Sequence, residues 1–385
     1  MFHEAVERLV QFRPSGVPVL SLYVGIPYEP AALKGVDARF SALLASARSQ
    51  LESEDVDHQA REALRSEIRR LAEEVAPQAS RLKGRGLAVF ACHRPDLLEQ
   101  VALPRPVPDR VVVDATPYLR PLLAVLDEYH RYCVAVVNRE HAWVYEFFMG
   151  QLEDAATAHG RALREPNYAG GWQGWKEDRT HHKAELLARR HYRQAAACVD
   201  EVMRRSRAEL LILGGHHETV AEFLPFLPHA LQAKVAGTFV VDPATMSVGQ
   251  LRELADEVAC AYERQEERQL VADTLDRLAA GGLAAAGLEW CLTAVNERAG
   301  QRRRGQDDEQ APGRVSDRCG WLGLEEDDCP VCGEPTRKTP DVIDEMATAV
   351  VDTGGRVEHV YAETPLDRHL VAARLRFPVP DRRAT

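Results

Sequence analysis

The chain has 385 residues and a formal net charge of −11, which excludes a protein that coats nucleic acid through bulk cationic surface and confines any such contact to a local basic patch. With 45% hydrophobic and 28% charged residues it reads as soluble and globular, with no apolar run long enough to span a bilayer. The opening MFHEAVERLVQF is amphipathic and carries acids, unlike a signal peptide, so a cytoplasmic protein with no membrane partner is expected.

At roughly 100 to 200 residues per domain the length implies several cores. The pattern predicts three α/β domains in series, at 1–125, 126–269 and 270–385. In the first, Val17 to Val24 (VPVLSLYV) reads as a buried strand. Two helices follow, one with Phe40, Leu43, Leu44, Ala47 and Leu51 on a face and one with Leu64, Ile68, Leu71 and Val75. The acidic turn Glu52-Ser53-Glu54-Asp55 joins them. Gly86 to Cys92 and Asp109 to Asp114 are further strands, and a linker is predicted near Pro117 and Pro121.

The second domain opens with a hairpin, Tyr132 to Asn138 and His141 to Phe148, followed by a long loop. A helix from about Thr180 to Arg205 then leads to strand Glu209 to Leu213. Gly214-Gly215-His216-His217-Glu218 matches neither a dinucleotide fingerprint nor a P-loop and reads as a plain strand-to-helix turn. Val235 to Val241 is a strand, and a helix begins at Ser247.

Within this domain, Ala169-Gly170-Gly171-Trp172-Gln173-Gly174-Trp175 stands out. Its glycines free the backbone to press against a partner. The stretch after it, KEDRTHHKAELLARRHYR, carries Lys176, Arg179, Lys183, Arg189, Arg190 and Arg193 and is the one clearly cationic segment of an acidic protein. A glycine tip beside a basic helix suits entry into a polyanionic cavity, with Trp172 and Trp175 able to stack on bases. The same pattern also fits a surface turn and the solvated face of an amphipathic helix.

The third domain begins with helical patterns from about Leu270 to Arg298. Gly300 to Asp317 (GQRRRGQDDEQAPGRVSD) is poor in hydrophobics and is predicted to be a mobile loop. Cys329-Pro330-Val331-Cys332-Gly333 has the spacing of a zinc-ribbon knuckle. The second pair is incomplete: Cys319 is followed by Gly-Trp-Leu where another cysteine is expected, so Cys319, Cys329 and Cys332 are the candidate ligands, a histidine completing the set or the turn being a relic. Apart from a possible zinc, no cofactor is indicated. Asp341 caps a helix through Val350 that Gly354-Gly355 stops, and strands Val357 to Tyr361 and Leu370 to Phe377 close a small α/β/α unit.

In element order nearly the whole chain resembles the archaeo-eukaryotic class I peptide-chain release factors and their Pelota-like ribosome-rescue relatives, and within them the divergent bacterial branch. The residues that carry this are Gly170, Gly171 and Gln173, the helix after them, ELLILGG at 209 to 215, CPVCG at 329 to 333 and the closing segment from Asp341. The resemblance implies a projecting middle-domain loop that enters the peptidyl-transferase centre, with the ribosome and the tRNA acceptor end as partners and a translation GTPase as a further one. It implies catalytic roles for Gly170, Gly171 and Gln173 in peptidyl-tRNA ester hydrolysis, by backbone approach, main-chain stabilisation of an oxyanion and exclusion of all but water.

Three departures qualify that implication. Trp172 separates Gly171 from Gln173, displacing the glutamine by about 3.3 Å or more. The hairpin turn SEDVDHQ is acidic where decoding members carry a basic motif, so rescue is expected and not stop-codon reading. The segment 300–317 departs from the domain where the GTPase binds. A non-catalytic ribosome- or RNA-binding factor of the same fold stands beside the hydrolytic reading; a metabolic α/β enzyme is the third, without a nucleotide fingerprint or nucleophile motif to support it.

Overall fold

The structure is a computed structural model that describes residues 2–13, 16–27, 33, 35–53, 58–81, 84–94, 96–128, 131–148, 151–159, 173–243, 245–305 and 310–379. The chain divides into two compact units, Tyr129–Glu266 as one and Met1–Glu128 together with Glu267–Thr385 as the other. Each contains β-sheet flanked by helices, the α/β class expected. Among the described residues no helix is long and apolar enough to cross a membrane.

The first part of the chain forms α1 (Phe2–Val10), β1 (Val19–Gly25), α2 (Val36–Ser53), α3 (His58–Glu74), β2 (Gly86–Cys92), β3 (Leu97–Leu103) and β4 (Arg110–Asp114). The strands lie in the order β3-β2-β1-β4, every pair antiparallel. Alternation along β1 sends Leu20, Leu22 and Val24 to a core with Phe40, Leu44, Leu64, Ile68 and Leu71 of the two helices. The opposite set faces the segment expected to be a linker: Tyr23 Oη donates to the Tyr118 carbonyl at 2.5 Å and Ser21 Oγ accepts from Tyr118 N. That expectation is overturned. Tyr118, Leu119 and Leu122 to Val125 are buried, and α4 (Arg120–Glu128) runs through them. Pro121 is tolerated because it stands in the first helical turn, where its missing N–H costs nothing. The turn at 54–57 lies outside the described residues.

The middle unit holds β5 (Tyr132–Val137), β6 (His141–Phe148), β7 (Gln151–His159), α5 (Gln173–Ser206), β8 (Leu210–Gly215), α6 (His217–Phe223), β9 (Val235–Val240) and the first part of α7 (Val248–Ala279). Strand order is β7-β6-β5-β8-β9, with β5, β8 and β9 mutually parallel and β5-β6-β7 an antiparallel meander. The central strands β5 and β8 are buried throughout, so both their faces feed cores. Cys133, Ala135, Leu211 and Leu213 meet Tyr192, Ala195, Val199 and Met203 of α5. Val134, Val136 and Ile212 meet Leu251 and Ala255 of α7. Strand β7 replaces part of the expected long loop; only alanines, Ala156 and Ala158, pack toward the α5 core, too weak an alternation to read as a strand.

The closing part adds β10 (Ala284–Ala286), α8 (Leu288–Asn296), β11 (Gly300–Gly305), β12 (Gly313–Val315), β13 (Leu322–Gly323), β14 (Arg337–Thr339), α9 (Val342–Asp352), β15 (Arg356–His359) and β16 (Val371–Leu375). They build a four-stranded sheet, β10-β16-β11-β15, and a small one, β13-β12-β14. The predicted mobile loop at 300–317 is corrected: β11 is an interior strand, antiparallel to β16 and parallel to β15. Its ladder is made by backbone, which three consecutive arginines do not prevent. Residues 306–309 lie outside the described residues. As expected, Asp341 caps α9, its carboxylate accepting from Ile343 N at 3.1 Å, and Gly354 closes it with φ +72°.

Candidate functional site

Gln173 is the first residue of α5, a helix of 34 residues. The helix therefore begins seven positions before the expected Thr180, and takes in Trp175, Lys176, Arg179 and Lys183, whose side chains are outside the described set, as is that of Gln173. Gly170, Gly171 and Trp172 lie wholly outside it. From Glu185 onward the surroundings are defined. Ala188, Tyr192, Ala195, Val199 and Met203 make the buried stripe anticipated from the sequence. Leu186, Arg189, Arg190 and Arg193 are exposed, three and four positions apart and hence on one side of the helix.

The arginines of α5 differ in their partners. Arg204 is held by Asp200 at 3.2 Å and Glu201 at 2.6 Å, and Arg205 pairs with Asp154. Arg189 meets Glu185 at 3.0 Å. Among the described residues Arg190 and Arg193 have no carboxylate partner. Among the described residues, positive charge is thus neutralised at the C-terminal end of the helix, and Arg190 and Arg193, near its middle, are without a carboxylate partner. Such a face attracts polyanions.

His191 sits between these arginines but is buried, beside the turn at Asn138 and His141. Burial lowers its pKa, the neighbouring carbonyl groups opposing and the His141 charge assisting. The turn at Gly214-Gly215 is structural, as expected: Gly215 has φ +143°, and a Cβ there would stand 2.5 Å from the Val137 carbonyl oxygen.

A buried ionic cluster within the larger unit was not anticipated. Arg337 reaches Asp114 at 2.9 Å, Asp317 at 2.7 Å and Glu345 at 2.5 Å. Arg120 meets Asp341 at 2.7 Å with both side chains 1% exposed, and Asp344 accepts from Leu119 N and Arg120 N at 2.9 and 2.6 Å. Burial pushes Asp114 up to about 6 even against the Arg337 guanidinium, and pushes Asp344 well above the carboxylate range, with Asp341 and Glu345 adding repulsion. An open cavity of about 1100 Å³ borders the cluster, lined by Arg110, Asp114, Gln310, Arg337 and Thr339 among others. Asp114 and Arg337, Arg120 and Asp341, and Leu119 and Asp344 stand more than 200 positions apart along the chain, beyond the reach of any local pattern. The cluster joins the first and last parts of the chain, with two arginines set among five carboxylates.

The sulfur atoms of Cys319, Cys329 and Cys332 all lie within 4.8 Å of one another, and among the described residues no histidine joins them. Burial raises the Cys319 thiol; at Cys329 the same effect is outweighed by the N–H groups of Cys332 and Val331, which bring it down to about 7.

Residues 117–260 match the family model described as bacterial archaeo-eukaryotic release factor family 10. The resemblance read from the sequence is thereby supported over the middle of the chain. Among curated proteins none matches. Similar solved structures include an archaeal translation termination factor, aRF1, at 15% identity over 98% of this chain and 97% of that one, TM-score 0.27. Archaeal Pelota, in a model of ribosome-bound Pelota and ABCE1, is 15% identical over 99% and 95%, TM-score 0.39. Dom34 of S. cerevisiae, described as a translation termination-like factor, is 10% identical over 78% and 87%, TM-score 0.41. Likenesses of this size do not bear on function.

Proposed function

We propose, from a middle domain that matches bacterial archaeo-eukaryotic release factor family 10, that the chain is a ribosome-associated, release-factor-like protein. It offers Gly170, Gly171 and Gln173 to the acceptor end of a peptidyl-tRNA and promotes hydrolysis of its ester in ribosome rescue. The supporting observation is that the Gly-Gly-Trp segment directly precedes the first residue of α5, on which Arg190 and Arg193 are exposed and, among the described residues, without a carboxylate partner. In this reading the arginines neutralise RNA phosphates while the glycine backbone approaches the tRNA end. Water attacks the ester carbonyl, a main-chain N–H stabilises the oxyanion, and the tRNA hydroxyl leaves with a proton.

One observation favours a second reading. Gln173 is the first residue of a helix, and together with the inserted Trp172 this suits a binding factor whose tryptophans stack on bases without hydrolysis. Release of labelled peptide from ribosomes carrying peptidyl-tRNA and an empty or truncated A site separates the two. Hydrolysis predicts release by the native protein that falls by about 10²-fold in Gly171→Ala and strongly in Gln173→Ala. Co-sedimentation with ribosomes without release would select the binding factor; failure of both would remove the translation reading.

A further inference from the structure

The sequence shows one complete Cys-x-x-Cys knuckle and a lone Cys319, whose partner was sought in the residues after it. The fold directs attention to the residues before it. Ser316-Asp317-Arg318-Cys319-Gly320 and Cys329-Pro330-Val331-Cys332-Gly333 are two five-residue turns of the same construction. In each, the final glycine donates its N–H to the carbonyl of the first residue at 2.8 Å, Gly320 to Ser316 and Gly333 to Cys329. In each that glycine is left-handed, φ +75° and +72°. Ser316 therefore occupies the place in the first turn that Cys329 occupies in the second.

The side chains converge as this equivalence requires. Cys319 Sγ is 3.5 Å from Cys329 Sγ, and Ser316 Oγ is 3.4 Å from both Cys319 Sγ and Cys332 Sγ. For a tetrahedral zinc with its usual bond lengths the edges are about 3.8 Å between two sulfurs and about 3.5 Å between sulfur and oxygen. Ser316 is fully buried and Cys329 nearly so, while Cys319 is exposed, so the hydroxyl lies on the floor of the site and Cys319 at its mouth.

The surroundings need such a site. The sheet β13-β12-β14 has strands of only two to three residues, too short to stand on its own core. The turns are also tied by Arg318 to Glu334 at 2.6 Å, and the second is held by Cys329 N to the Glu334 carbonyl at 2.8 Å. A metal at their junction supplies the remaining cross-link, as structural zinc does in small domains.

We infer that Ser316 is the fourth vertex of a Cys3Ser site, with Cys319, Cys329 and Cys332, that binds one zinc-like divalent cation and cross-links the small sheet. The inference is independent of the proposed function, since it concerns another part of the chain and its test reads metal alone.

The test uses the full chain purified under reducing conditions, with zinc measured by mass spectrometry and cobalt(II) substitution followed by absorption. One metal per chain is expected, with a tetrahedral cobalt spectrum. Ser316→Cys should add a fourth thiolate, raising the sulfur-to-metal charge-transfer absorption by about one third and slowing loss of metal to a chelator at least about 10-fold. Ser316→Ala should weaken binding by about 10-fold or more, and Cys329→Ala, which removes a thiolate and leaves no donor in its place, should abolish it. A native chain without stoichiometric metal overturns the site. A cobalt spectrum and chelator resistance unchanged by Ser316→Cys overturn the role of Ser316, even if Ser316→Ala fails to fold.

Discussion

Arg120 and Asp341 bury opposite charges at 2.7 Å, each side chain 1% exposed. Removing one member strands the other without water, whereas the intact pair is satisfied by further bonds: Asp341 also accepts from Tyr118 Oη at 3.2 Å and from Ile343 N. Arg120→Ala is expected to destabilise the larger unit by about 3–5 kcal/mol, the cost of breaking a buried pair on one side. Urea unfolding of variant and native protein measures it, and a loss below about 1 kcal/mol would show that water reaches the pair. At this scale the sequence was informative where a residue acts locally. The cap at Asp341 and the turn at Gly215 were legible because their partners lie within a few residues or in the strand pattern itself. The acceptor of Arg120 was not, because the two residues meet only through the fold.

At the scale of elements, α5 carries paired and unpaired arginines side by side. Its intrahelical pairs neutralise Arg204 and Arg189, and among the described residues Arg190 and Arg193 remain without a carboxylate partner. If these two contact RNA phosphates, the double variant Arg190→Gln/Arg193→Gln should bind ribosomes more weakly, and the slope of log affinity against log salt should shrink by about one per arginine removed. Sedimentation across a salt series reads the slope; a weaker affinity with an unchanged slope would mean that the arginines contribute through something other than phosphate. Elements with strong apolar period were legible, β1, β2, β5, β8 and the packed half of α5 among them. Strands β7 and β11 were not, since one offers alanines and the other arginines, and each is a strand because neighbours supply its hydrogen bonds.

At the scale of the molecule, Asp114 and Asp344 in the larger unit and His191 in the middle one are expected to give opposite responses to pH. Asp114 has a folded pKa of about 6, above its ordinary 3.8, so the stability it contributes is fully present below the unfolded value and is lost as pH rises through about 6. Asp344 shifts in the same direction. His191 has a folded pKa below its ordinary 6.5; its contribution is present above that value and is lost as pH falls through the folded pKa. Between pH 7 and pH 5, native protein should therefore gain stability relative to Asp114→Asn in the larger unit and lose it relative to His191→Gln in the middle one. Hydrogen exchange followed by mass spectrometry resolves the units, and equal trends in both would refute the opposition.

Periodicity, glycines and caps determined the α/β class, most strands and helices, the basic helix and the cysteine turn, because hydrophobic patterning and backbone preference act over a few residues and leave their mark in consecutive letters. The tertiary structure decided what depends on meetings between distant segments. It buried the supposed linker under β1, made an interior strand of an arginine run, gathered Asp114, Arg337, Asp344 and Arg120 into one ionic cluster, and set Ser316 beside three cysteines. Those contacts arise from closure of the chain upon itself, where apolar burial drives the approach and each polar group buried with it must find a partner, and no local pattern encodes which partner that will be.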